Sequence, residues 1–183
     1  MFGTKMRPLR MADDRLLFFT RLALTVLMAL SIFAAVAALL TMPILYFRFD
    51  RVAGEMAANG IRREAIPWVV FMLLGGVLLS TLAFFFLRHL RRIVDSVSDG
   101  DPFVPVNADR LRHMAWLALA MQGVLVAITP TIMWFDAFPQ RQNVHHNSDG
   151  LSFAALILAL LLFVLARVFR VGSAMRDELE GTV

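Results

Sequence analysis

Between Leu22 and Phe47 the chain runs for 26 residues without a charged side chain. About 20 apolar residues suffice for an α-helix to cross a hydrocarbon layer about 30 Å thick. A backbone placed there has no water to bond and must satisfy its amides within the segment, which leaves the helix as the solution for a single span. A secretory signal is the competing reading, because Lys5, Arg7, Arg10, Arg15 and Arg21 precede the run. The run is too long for the apolar part of such a signal, and "ALLTMPILYF" is a poor cleavage context.

Three further stretches have the same character. Ala65 to Leu87 is uncharged and entered through "IRREAIPW", where Pro67 suits a first helical turn and Trp68 the membrane interface. Met114 to Phe135 carries Trp116 and Trp134 near its two ends, the positions expected of amphipathic rings at headgroup depth. Leu151 to Ala166 is shorter, but Arg167 can snorkel, and Val168, Phe169 and Val171 extend its apolar face. Of the whole chain 59% is hydrophobic and only 17% charged, against about 25% charged in soluble domains. The expected fold is therefore all-α: a single polytopic unit over 1–183, with four transmembrane helices at about 22–47, 65–87, 114–135 and 151–169. An inner loop follows at 88–113, with outer loops at 48–64 and 136–150.

Thirteen of the 18 lysines and arginines fall on the side shared by both termini and the central loop, leaving five for the outer loops. The positive-inside rule then puts that side in the cytoplasm. The lack of cysteine excludes disulfides, thiolate metal sites and cysteine nucleophiles. A net charge of +4 on so apolar a chain points to anionic headgroups as the partner, and no nucleic-acid reading module fits in the sequence.

The span interiors hold no Asp, Glu, Lys, Arg or His, whereas ion- and proton-coupled transporters usually bind or relay charge through such groups. Ser31, Thr41, Ser80, Thr81, Gln122, Thr129, Thr131 and Ser152 read as interhelical hydrogen-bonding groups. Small residues recur at helical spacing, Ser31 with Ala35, Ala34 with Ala38, Gly76 with Ser80, Gly123 with Ala127 and Ala155 with Ala159. These pairs fit close helix packing and equally fit a homo-oligomer. Pro130 removes the amide that would bond back to Val126, so a bend is expected, with Thr129 and Thr131 placed to satisfy the freed carbonyl.

The outer loop "DAFPQRQNVHHNSDG" brings His145 and His146 near Asp136 and Asp149, good ligand types for zinc or copper. No HExxH spacing reinforces them, and a polar connector is the stronger reading. No nucleophile elbow or acid–base constellation appears, so the chain is not expected to be an enzyme, and no cofactor is implied. The loop 48–64, with Asn59-Gly60 as a turn signal, suits a short interfacial helix.

In "LRHLRRIVDSVSDGDP" Leu90, Ile93, Val94 and Val97 form one stripe, while Arg88, Arg91, Arg92, Asp95 and Ser98 take the other faces. That period predicts a helix protruding two to three turns from the membrane, stopped by Gly100 and Pro102. "PFVP" is then extended, displaying Phe103 and Val104, and Asn107 is expected to cap the next helix. This hinge reads either as a loop tucked on the bundle or as a docking surface carried by charged shoulders, with Arg88, Arg91, Arg92, Phe103, Asn107, Arg110 and Arg112 as the candidate contacts.

The segment "LRRIVDSVSDGDPFVPVNADRLRHMAWLAL" and the tail "ARVFRVGSAMRDELEGTV" resemble a bacterial family of four-span membrane proteins known only as domain of unknown function twenty-nine seventy-five. Gly100, Pro102, Phe103, Asn107, Arg110, Leu111 and Arg112 match its middle segment; Leu179, Thr182 and Val183 match its end. The resemblance extends over nearly the whole chain and brings no catalytic residue. Its members are encoded beside small helix-turn-helix regulators, which implies a membrane protein that binds, sequesters or antagonises such a regulator through its inner face. The acidic tail with Asp177, Glu178 and Glu180 then suits a basic partner, or is a solvated end. A small transporter or channel subunit working as an oligomer is the alternative.

Overall fold

The computed structural model describes residues 7–48, 50, 51, 54, 66–98, 103–136 and 151–180. Four helices make up the fold: α1 (Arg7–Phe47), α2 (Ile66–Ser98), α3 (Pro105–Asp136) and α4 (Phe153–Glu180). Each is long and apolar enough to cross a bilayer, and among the described residues there is no strand. The chain is an all-α polytopic membrane protein.

Each helix runs past its apolar run on one side. α2 has 33 residues and α3 has 32, lengths of about 50 Å at 1.5 Å per residue, while the hydrocarbon layer takes about 30 Å. α2 carries on through Arg88 to Ser98, and α3 starts nine residues before the apolar run that opens at Met114. The two form a helical hairpin that extends past the apolar runs. α1 likewise begins at Arg7, well before the uncharged stretch, and α4 continues to Glu180.

Consecutive helices carry the packing, α1 on α2, α2 on α3, and α3 on α4. α2 and α3 thus each contact two helices, and α3 has the composition of an inner one: its mean hydropathy is 1.7 against 2.4 to 2.5 for the other three. It supplies most of the buried residues, including Leu111, Met114, Ala115, Ala118, Gln122, Ile128 and Thr131. Leu111, Met114 and Ala115 meet Leu162 and Ala166 of α4, with Phe86, Leu90 and Ile93 of α2 closing over them. By contrast α1 buries little beyond Leu24 and turns Val26, Leu30, Phe33 and Leu40 outward. A span so uncovered has acyl chains as its main neighbour.

Two sequence expectations are corrected here. Gly76 and Gly123, read as contact positions, both face open space. The close approach occurs one residue earlier, where a Cβ on Gly75 would run into the side chain of Ile128, with Cγ1 at 2.9 Å. Spacing alone does not fix which of two adjacent glycines points at a neighbour. Around Pro130, Thr129 Oγ1 donates to the carbonyl of Leu125 over 2.9 Å and not to that of Val126. Thr131 is fully buried, and its hydroxyl finds no hydrogen-bond partner among the described residues. Pro43, near the end of α1, is a second helix proline, with the same loss of an amide.

Gly100 and Pro102 lie outside the described residues, as do His145, His146, Thr182, Val183 and nearly all of the 48–64 loop. The side chains of Trp134, Asp177 and Leu179 are also outside them.

Candidate functional site

The ends of α1 to α4 that lie on the side of the α2–α3 turn gather most of the polar chemistry in the molecule. α3 opens with Pro105, whose missing amide costs nothing at a first helical position. The turn before it is closed by the Asn107 amide, which donates to the Val104 carbonyl over 2.8 Å. Asn107 is therefore not the cap the sequence suggested. It sits inside the first turn, and its side chain is free to reach sideways.

That side chain is completely buried and fully used. Asn107 Nδ2 donates to Ser96 Oγ over 2.6 Å, and Ser96 Oγ donates onward to the Ile93 carbonyl over 2.7 Å. Arg110 donates from one terminal nitrogen to Asn107 Oδ1 at 2.9 Å and to the Arg92 carbonyl at 3.0 Å. The result is a polar clasp that locks the end of α2 to the start of α3. Every member is satisfied, which is the condition under which a buried polar network rigidifies a structure.

Ion pairs fasten the neighbouring helices to this clasp. Arg21 Nε of α1 stands 2.9 Å from Asp95 Oδ1 of α2, close enough to pair charges though off the line of an N–H bond. Arg170 of α4 donates to Asp109 Oδ1 of α3 over 2.8 Å. Both pairs are substantially exposed, so each contributes at most about 1 kcal/mol. Their value is positional.

His89 and His113 stack face to face beside the clasp, with ring centroids 5.6 Å apart and planes inclined by 6°. His113 Nδ1 lies 2.7 Å from the Asp109 carbonyl, which can only accept, so that nitrogen carries the proton. His89 lies past the uncharged run that ends at Leu87, outside the hydrocarbon. Burial, then the His113 ring, then the guanidiniums of Arg92, Arg110 and Arg88 push its pKa below the ordinary value of 6.5. All of these disfavour a second positive charge there.

The seven candidate contact residues divide. Arg88, Arg92 and Arg112 are exposed, Arg91 and Arg110 are half-buried, and Asn107 is wholly enclosed. Asn107 is thus corrected from a partner contact to an internal strut. Phe103 is 42% exposed, but one face packs on Phe169 at 5.3 Å between centroids and lies against Gly172, where a Cβ would meet the ring at 3.0 Å. The apolar side chains left open on the hairpin are Val97 (43%), Phe103 and Val106 (50%). Val97 was read in one stripe with Leu90 and Ile93, which pack on the core. It comes one turn after Ile93, just beyond the reach of the core. Ser96, His89, His113 and the Arg21–Asp95 pair were missed, because their partners come from other helices and leave no local pattern.

Among the described residues no group of three or more histidines, cysteines or carboxylates is placed to hold a metal ion. Residues 52–183 match the sequence model of a family described as Protein of unknown function (DUF2975). The match starts after the first span, so it leaves α1 outside and is shorter than the resemblance implied. No curated protein and no solved structure shows significant similarity to the chain.

Proposed function

From the premise that this chain belongs to the DUF2975 family of proteins of unknown function, we propose that it is a membrane-held docking protein. Its α2–α3 hairpin binds a soluble regulator of the helix-turn-helix class on the cytoplasmic side. The observation that carries this reading is the clasp built on Asn107. A plain connector between two spans needs no fully satisfied buried network, whereas a surface that must present Val97, Phe103 and Val106 in fixed positions does. The three exposed apolar side chains would supply the apolar centre that protein interfaces are built around.

The orientation belongs to the same proposal. The hairpin shares its side with Arg21 and Arg170, and with most of the lysines and arginines of the chain, which favours the cytoplasm of a bacterial inner membrane for both termini. Docking to a DNA-binding partner would hold it away from its operator.

The test is co-expression with a small soluble regulator of the helix-turn-helix class, followed by extraction in mild detergent and affinity capture. Binding is expected for the unaltered chain and for Arg112→Gln, and loss for Val97→Ser combined with Val106→Ser. Capture that is absent from the unaltered chain, or indifferent to the double substitution, would remove the hairpin as the docking surface.

A further inference from the structure

Three guanidinium groups meet in one cleft between α3 and α4. Arg112 comes from α3, Arg167 and Arg170 come from α4, and Phe163, Ala166 and Val171 complete the lining of a space of about 480 Å³. Arg170 is balanced by Asp109 at 2.8 Å. Neither Arg112 nor Arg167 has an acidic partner among the described residues. The cleft therefore holds an excess of positive charge.

Its depth follows from the length of the fourth span. Leu151 to Ala166 is a run of 16 uncharged residues, a rise of about 24 Å, which falls short of the hydrocarbon thickness of about 30 Å. Arg167 is drawn to the hydrocarbon boundary, and its guanidinium must end among the headgroups. Trp116 marks the same level on α3, 58% exposed and edge-on to Phe163 with centroids 5.4 Å apart. Indole rings with one apolar and one wet side settle at that depth. The cleft thus has a cationic rim where lipid phosphates lie and apolar walls where acyl chains begin.

We propose that this cleft binds the phosphate of an anionic phospholipid, with Arg112 and Arg167 bonding its oxygens and Phe163 and Ala166, on the hydrocarbon side of Arg167, flanking the first part of an acyl chain. Guanidinium forks match phosphate oxygens in pairs and give up hydration more readily than ammonium groups do. A free phosphate would find the same cations but would leave Phe163 without a neighbour, so the lipid is the better fit. The site shares no residue with the Val97, Phe103 and Val106 surface, and it stands whether or not a regulator docks there.

Native mass spectrometry of the full chain in a neutral detergent tests the assignment, with phosphatidylglycerol, phosphatidylcholine and inorganic phosphate as probes. Phosphatidylglycerol is expected to be retained in preference to phosphatidylcholine. Arg112→Gln with Arg167→Gln should weaken its retention about thirtyfold, while Arg88→Gln with Arg91→Gln, which removes the same charge on α2, should leave it unchanged. Equal weakening in both pairs, or none in the first, overturns the site in favour of general surface charge. Displacement by equimolar inorganic phosphate overturns the lipid in favour of a soluble anion. Should the glutamine pair fail to fold by circular dichroism, Arg112→Lys with Arg167→Lys decides: weaker retention supports the guanidinium site, and unaltered retention overturns it.

Discussion

Asn107 Nδ2 donates to Ser96 Oγ across 2.6 Å, joining two helices at residues eleven apart in the chain. Neither side chain is an unusual residue for its helix. What sets them apart is that together with Arg110 and the Arg92 carbonyl they satisfy one another out of water.

Asn107→Ala removes the acceptor of Arg110 and the donor to Ser96 at once. Leaving buried polar groups unpaired costs about 1–3 kcal/mol, and the loss is expected to appear in denaturant unfolding in micelles followed by circular dichroism. Arg88→Ala on the exposed face should shift the midpoint by less than about 0.5 kcal/mol. Equal effects from the two would mean that the clasp contributes nothing.

Adjacent glycines on α2 should behave oppositely. Gly75→Ala drives a methyl group into Ile128, an overpacking that costs about 1–3 kcal/mol. Gly76→Ala meets nothing and should be neutral or slightly stabilising. Combining Gly75→Ala with Ile128→Val should recover part of the loss, read as a double-mutant cycle on thermal unfolding.

Thr131 holds a buried hydroxyl with no partner among the described residues. Thr131→Val keeps the shape and deletes the unpaired group, so a gain of about 1 kcal/mol is expected. A loss in its place would reveal that the hydroxyl has a role in the membrane.

The stacked histidines predict a pH dependence. With its folded pKa below the unfolded value, His89 binds fewer protons in the native state, and stability must fall as pH drops below about 6.5. Unfolding midpoints measured from neutral to mildly acidic pH should show this decline, and His89→Gln should flatten it. His113, Arg88, Arg92 and Arg110 all face His89 and disfavour its protonation, and Asp95 is the acid near Arg110.

The spans were legible because burial in hydrocarbon is written as uninterrupted apolar sequence, and the protruding end of α2 was legible from the stripe of Leu90, Ile93 and Val94. Asn107 was misread because asparagine after a proline segment suits a cap as well as a first-turn position. The start of α3 at Pro105 decided between the two. The partners of Asn107, Arg21 and His89 depend on how helices face one another, which local periodicity does not encode. Gly172 and Phe169 claim one side of the Phe103 ring, a contact that local periodicity does not encode either.

The first helix rests chiefly on α2, through few buried side chains and one exposed ion pair. Lipid tails are as apolar as the leucines they would replace, so little solvophobic force holds the contact shut. Melting should therefore begin there. α1 can part from its neighbour while the remaining three helices stay assembled, and changes of bilayer thickness or detergent will be felt first at that seam.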